Sequence, residues 1–307
     1  MKILITGCCG FIGTNLSLFT MRNTTHKIVG VDSNPFKENL DELQKFSNFE
    51  FLNLDIEDID VSLLGKIDKI VHLAAIAGVR KSIEDPVYYV KNNVVKFVHL
   101  LEESKKNGNI DMIYASSSSV YGENEKIPYE EDDTILKLRS SYACSKKCME
   151  VYARYYYDVF DLNSIGLRFF TVYGERGRKD MAPYIFTKNI FDEKEITQYG
   201  NGETMRDYTY IGDIVDGIFS IIEGKGKPGN IYNLGCGNPI KLKDFIKVVE
   251  KVTGKKAKIR VEKVKVGDVP KTYASIEKAN KDLGFFPKVK LEEGIRRLLT
   301  SLITPKE

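Results

Sequence analysis

The sequence has no apolar run near the ~18 residues that a membrane-spanning helix needs, so no transmembrane span is expected. It has no excess of one charge. Its 46 basic and 43 acidic residues are interspersed over 307 positions and leave a net charge of +3. That balance excludes the electrostatic footprint of a nucleic-acid-binding or membrane-surface protein. A disulfide framework is also missing: there are five cysteines, and two of them, Cys8 and Cys9, are adjacent. Histidine is scarce, with His26, His72 and His99 all remote in sequence from Cys144 and Cys148. Those two thiols therefore lack partners for a metal site, and the expectation is buried, reduced thiols with no metal. A reducing cytoplasm fits this usage. The N-terminus enters an apolar strand at once, which leaves no room for a signal peptide.

What is present begins with that strand. Lys2 to Thr6 is short, apolar and β-branched, a strand by length and composition. Gly7, Gly10 and Gly13 follow with spacing G-x-x-G-x-x-G. From Phe11 and Ile12 the pattern turns helical through Leu16 and Phe19, and a second strand, Lys27 to Val31, ends at Asp32. Strand, glycine turn, helix, strand and terminal acid form the dinucleotide-binding fingerprint in its expected context. Gly7 permits the tight turn, Gly10 admits a pyrophosphate to the backbone, and Gly13 lets the helix approach the sheet. The helix N-terminus offers free N–H groups to phosphate. Asp32 accepts hydrogen bonds from both ribose hydroxyls and repels a 2′-phosphate, so the expected cofactor is NAD rather than NADP.

Strand and helix patterns then alternate. Strands are expected at 48–54, 69–73, 110–115 and 163–169, with long helices at 87–105 and 141–160. The alternation predicts an α/β protein with a parallel sheet covered on both faces, Rossmann-like and doubly wound. Residues 174–208 are rich in Gly, charge and aromatics and show little regular period. Helices at 211–222 and 242–252, a strand at 230–234, and a tail with a basic strand-like segment, a VGDVP turn and two short helices complete the chain. The expected division is a dinucleotide-binding domain of residues 1–174 plus 209–235, and a smaller C-terminal substrate-binding lobe of 175–208 plus 236–307.

Tyr142 and Lys146 form Y-x-x-x-K at the start of the second long helix, and an i, i+4 pair shares one helix face. A free tyrosine has a pKa near ~10, too high for a base at neutral pH. A nearby ammonium and a bound nicotinamide both favour the phenolate. Ser116 to Ser119 follow the fifth strand, at the end where open α/β sheets bind ligands. A hydroxyl there can hold a substrate hydroxyl beside Tyr142.

The stretches TGCCGFIG, HLAA, SSSSVYG, YACSK, RFFTVYG and RDYTYIGDIVDGI together resemble the extended short-chain dehydrogenase/reductases of the nucleotide-sugar epimerase and dehydratase group. The resemblance implies that Ser117, Tyr142 and Lys146 are catalytic. It implies that Asp55 and Ile56 flank adenine, that Leu73, Ala74, Ala75, Asn93 and Ser116 line the cofactor, and that Phe169 and Val172 lie near nicotinamide and substrate. AGVRKSIEDP, SSSSVYGEN and GRKDMAPYIF are similar to the UDP-glucuronate 4-epimerases. They imply a UDP-sugar substrate met by Arg80, Ser117, Ser118, Ser119, Tyr142, Thr171, Arg178, Arg206, Lys265 and Asp268. Three positions depart from that group: Cys9 replaces a small residue such as alanine, Lys81 an aromatic, and Lys179 a proline. The 4,6-dehydratases carry an acidic pair where this chain has Ser118 and Ser119. UDP-hexose and N-acetylhexosamine 4-epimerases share the catalytic core and stay open as a second reading. A UDP-glucuronate decarboxylase and a non-catalytic NAD-binding protein are further alternatives. The two long helices carry more apolar residues than one sheet face needs, and in relatives they pair across a two-fold axis, so a homodimer is expected.

Overall fold

The structure is a computed structural model and describes residues 1–135, 137–264 and 269–304. The chain runs β1 (Lys2–Thr6), α1 (Phe11–Asn23), β2 (Lys27–Val31), α2 (Lys37–Leu43), β3 (Phe49–Leu52) and β4 (Lys69–His72). Next come α3 (Val79–Glu84), α4 (Pro86–Val90), a π-helical turn at Lys91–Val95, α5 (Lys96–Lys106), β5 (Met112–Ser117), α6 (Ser141–Phe160) and β6 (Ser164–Phe169). After these stand β7 (Thr171–Tyr173), α7 (Ala182–Phe191), β8 (Glu195–Tyr199), β9 (Met205–Arg206), β10 (Tyr208–Tyr210) and α8 (Ile211–Ile222). The last elements are β11 (Ile231–Leu234), β12 (Ile240–Lys241), α9 (Leu242–Thr253), β13 (Lys258–Glu262), α10 (Glu277–Leu283) and α11 (Leu291–Ile303).

Seven strands form one sheet in the order β11-β6-β5-β4-β1-β2-β3, and every pairing is parallel. Strand order reverses beside β1, which makes the crevice between β1 and β4 a topological switch point. Because the strands are parallel, their C-terminal ends share one edge. The core lies on both faces, since successive strand side chains point opposite ways. Ile3 and Ile5 join the cluster that holds Leu16 of α1 and Ile214 and Ile218 of α8. Leu4 joins the cluster that holds Phe97 and Leu100 of α5 and Met149 of α6. This is the expected doubly wound arrangement.

Helix α6 starts where Ser140 accepts a hydrogen bond from the Ala143 N–H at 3.1 Å, and such a cap satisfies one orphan donor of the first turn. It stops at Asp161, which is left-handed at φ 54°. Gly254, at φ 69°, ends α9 in the same way.

Two expectations are corrected. The stretch 174–208 contains α7 and β8 rather than irregular chain alone. Its helix buries Pro183, Phe186 and Ile190 against α9 and α11, a stripe too short to stand out between glycine-rich flanks. The helix expected over 87–105 is interrupted by the π-helical turn. Such a bulge often marks a functional position, and here it carries the buried Asn93. No described helix is long and apolar enough to cross a membrane.

Candidate active site

The turn after β1 builds the cradle. Gly7 is left-handed at φ +68°, and a Cβ there would stand 2.7 Å from the Ala74 backbone nitrogen. The turn therefore lies directly against Leu73 and Ala74, which with Ala75 follow β4. A Cβ on Gly13 would collide with the Gly7 carbonyl oxygen. Gly10 caps α1, and Phe11 and Ile12 form the first turn, partly buried. A Cβ on Gly10 would meet only the Gly7 oxygen, at 3.2 Å. Asp32 closes the cradle at the end of β2. Its Oδ2 accepts from the Cys9 N–H at 3.1 Å and its Oδ1 from the Asn34 N–H at 3.1 Å. Burial raises its pKa, and the two N–H donors partly offset this.

Three residues expected to line the cofactor carry hydrogen bonds within the protein. Asp55 pairs with Lys96 at 2.6 Å, beside the buried Ile56. The fully buried Asn93 accepts from the Ile76 N–H at 2.8 Å, and donates to the Ile76 carbonyl at 3.0 Å and to Ser145 Oγ at 3.0 Å. It braces the Leu73–Ala77 segment from behind. Ser116 turns its hydroxyl into the protein and donates to Glu150 Oε1 at 2.6 Å.

Tyr142, Lys146 and Glu150 lie at i, i+4 and i+8 on α6 and share one face, packed on the end of β5. The buried Ser117 hydroxyl neighbours the Tyr142 phenol and pulls its pKa down. It also accepts from the Ser119 N–H at 3.2 Å, which fixes the turn that presents Ser118 and Ser119. Burial raises the Tyr142 pKa, while Ser117 and the Arg178 charge pull it back. Arg178, which the sequence reading assigned to substrate, thus also places a cation near the phenol. Lys146 is buried, which lowers its pKa to about 7, and its Nζ donates to the Ala115 carbonyl at 2.7 Å. Tyr89 packs edge-on against the Tyr142 ring, with centroids 6.3 Å apart.

Around this centre, Phe169 ends β6 and Thr171 and Val172 begin β7. Arg178 is held in a bidentate fork by Asp180, at 3.0 and 2.7 Å. Arg80 lies over the Tyr199 ring at 4.9 Å, which bridges α3 to β8. Arg206 donates to the Met205 carbonyl at 2.8 Å. Its neighbour Asp207 is buried and accepts three backbone N–H groups, from Cys236 at 2.6 Å and from Gly237 and Ala274 at 3.0 Å each. Lys265 and Asp268 lie outside the described residues.

Several residues escaped the sequence reading. Glu150 forms a bidentate buried pair with Arg168, at 2.8 and 2.9 Å. Arg168 also donates to the Tyr121 hydroxyl at 2.9 Å, and Tyr121 donates to Asn233 at 2.7 Å. Glu150 was legible as one turn beyond Lys146, whereas its partner on β6 carried no local signal. The thiols also differ from expectation. Cys8 and Cys9 are buried, but Cys144 and Cys148 are exposed, because their positions face away from the sheet. Cys8, Cys9 and Asp32 bring three potential ligand atoms within 4.8 Å of one another.

A glycine-turn cradle at the switch point, ending in Asp32, beside a serine–tyrosine–lysine centre defines a dinucleotide-dependent enzyme of the short-chain dehydrogenase type. Residues 3–235 match the model of the NAD dependent epimerase/dehydratase family, and the chain belongs to that family. It is 44% identical to an uncharacterized protein of Methanocaldococcus jannaschii, over 100% of this chain and 97% of that one. The crystal structure of UDP-glucuronic acid 4-epimerase from Bacillus cereus with UDP-glucuronic acid and NAD is similar at TM-score 0.93 and 36% identity, covering 98% of this chain and 99% of that chain. The structure of UDP-glucose 4-epimerase from Thermotoga maritima with UDP-glucose is similar at TM-score 0.92 and 30% identity, covering 98% of both chains.

Proposed function

We propose that the protein is an NAD-dependent 4-epimerase of UDP-glucuronate, forming UDP-galacturonate through a 4-keto sugar. The observation that carries this reading is Tyr142, beside Ser117 and under the charge of Arg178, at the sheet edge next to the dinucleotide cradle. Bound NAD would supply the hydride acceptor, and then the hydride donor, for C4 of the sugar. Tyr142 removes the C4 hydroxyl proton and gives it back after the keto sugar has turned. Ser117 orients that hydroxyl. Lys146, whose pKa burial lowers to about 7, would hold the nicotinamide ribose. Asp32 selects NAD by accepting from both ribose hydroxyls.

The uronate preference rests on the serine turn and Arg178. A 4-keto glucuronate is a β-keto acid, which loses CO₂ fastest when its carboxylate bond lies parallel to the carbonyl π orbitals. Ser117, Ser118 and Ser119 hold the carboxylate out of that alignment, and the planar guanidinium of Arg178 pins it or the adjoining phosphate. Serines stand where a dehydratase needs acids for eliminating water. Arg206 and Arg178 serve the UDP phosphates, and Arg80 and Thr171 meet the substrate. The test is a UDP-sugar panel with the purified protein, resolving C4 epimers and released CO₂. Interconversion of the glucuronate and galacturonate forms with little CO₂ supports the proposal. Turnover of UDP-glucose or UDP-N-acetylglucosamine with neglect of UDP-glucuronate refutes the sugar assignment and leaves the epimerase reading standing.

The proposal extends to organisation. Residues 1–174 plus 209–235 bind the dinucleotide, and 175–208 plus 236–307 bind the nucleotide-sugar. Two copies associate through α4, α5 and α6. Val87, Val90 and Val95 on one helical arm, and Val151, Tyr152, Tyr155 and Val159 on the other, are all exposed, a pattern that marks interaction surfaces. Light scattering giving the monomer mass at working concentration would refute the dimer. Exposed free thiols at Cys144 and Cys148 suit a reducing cytoplasm.

A further inference from the structure

We propose that Cys8, Cys9 and Asp32 form a binding site for a thiophilic divalent cation of the zinc class, sharing the carboxylate that binds the dinucleotide ribose. Two thiols and one carboxylate place a ligand atom each within a 4.8 Å group. The two sulfurs stand 3.7 Å apart. A tetrahedral zinc with Zn–S bonds near 2.3 Å sets its sulfurs about 3.8 Å apart, so the pair already spans one edge of that tetrahedron.

The ligands are held in place by bonds to neighbouring groups, and the two thiols hydrogen-bond to each other. Thr14 Oγ1 donates to the Cys8 carbonyl at 3.1 Å, and Asn39 Nδ2 donates to the Cys9 carbonyl at 2.9 Å. The Cys9 N–H donates to Asp32 Oδ2 at 3.1 Å and keeps the carboxylate beside the thiols. Each carboxylate oxygen takes a single backbone donor and keeps a further lone pair. Both thiols are fully buried, as structural thiolate ligands commonly are, while Asp32 is only partly buried and opens the site toward the cofactor crevice.

The same geometry disfavours a disulfide. Adjacent residues across a trans peptide have Cα atoms about 3.8 Å apart, below the usual disulfide range of about 4.4–6.8 Å. Binding is therefore coordination without redox change: two S–H bonds break, two sulfur–metal bonds form, and two protons leave to solvent. Occupancy removes Asp32 from the ribose hydroxyls, so cation and dinucleotide exclude each other.

The test uses the full chain with Cys144, Cys148 and Cys236 changed to Ser, which leaves Cys8 and Cys9 as the only thiols. Cadmium is titrated into NAD-free protein, and the thiolate-to-cadmium charge-transfer absorbance is followed. The expected result is saturation at one equivalent, loss of the band in Cys9→Ala, and an apparent dissociation constant that rises in proportion to added NAD. Asp32→Asn should keep the band but weaken affinity at least about tenfold, the lower bound seen when outer-shell partners of metal ligands are lost. NAD binding by Cys9→Ala confirms that the variant is folded. The proposal is overturned if no band forms, if the band survives in Cys9→Ala, or if saturating NAD leaves the titration unchanged.

Discussion

Replacing Arg168 by Met should make the protein respond to pH in the opposite sense. Arg168 and Glu150 are both about 2% exposed and meet in a bidentate fork. Removing one partner of such a pair strands the other charge, at a typical cost of about 3–5 kcal/mol. Lys147, 3.0 Å from Glu150 Oε2 on the rim, and Ser116 remain, so the lower end of that range is expected. Replacing both partners by Met should recover most of the loss, because apolar residues of similar volume avoid the desolvation of two ions.

The pH dependence gives the sharper check. Burial pushes the Glu150 pKa up, but Arg168, Lys147 and Ser116 outweigh it and leave the folded value below that of a free glutamate. A depressed folded pKa contributes stability that is complete above the unfolded value of about 4.3 and is lost as pH falls through the lower folded value. In Arg168→Met burial should prevail and the folded pKa should rise. The folded state then binds more protons than the unfolded one, and this group's contribution falls as pH increases. Urea unfolding of wild type, Arg168→Met and the double variant from about pH 2 to about pH 8 measures both effects. A double variant as unstable as the single one, or the wild-type sense of pH dependence at this site in Arg168→Met, would refute the reasoning.

Tyr142→Phe should fold, retain NAD and lose about 10²–10⁴-fold in turnover; near-normal activity would remove Tyr142 as the base. Asp32→Ala should narrow the preference for NAD over NADP, chiefly by weakening NAD, and equal binding of the two by wild type would show that Asp32 does not read the ribose. Asn93→Ala strands the backbone groups of Ile76 and should cost about 1–3 kcal/mol of stability, together with weaker NAD retention on gel filtration. Gly13→Ala should abolish cofactor binding, since its Cβ would collide with the Gly7 carbonyl; retained NAD would mean the turn yields where the packing says it cannot.

Local chemistry made the cradle and the acid–base helix readable. Glycines spaced by three, a strand that stops at Asp32, and Tyr142 four residues before Lys146 are properties of adjacent residues, and each lies where its pattern predicted. The short α7 was hidden because its apolar stripe is brief, and the exposed sides of Cys144 and Cys148 were hidden because their burial depends on which way α6 packs.

The sequence alone determined the strand-and-helix alternation and the dinucleotide turn, since these rest on backbone propensity and periodicity within a few residues, while the candidate catalytic set came from the motifs that carry the family resemblance. Only the tertiary structure decided which groups share a charge or a proton. It brought the Arg178 charge to the Tyr142 phenol, turned Ser116 and Asn93 inward, paired Glu150 with an arginine 18 residues away on β6, and set Asp32 beside two thiols more than twenty positions earlier. Electrostatic and coordination contacts act through a few ångströms of space, and in a parallel sheet those distances are fixed by strand order, which brings together residues that the sequence keeps apart.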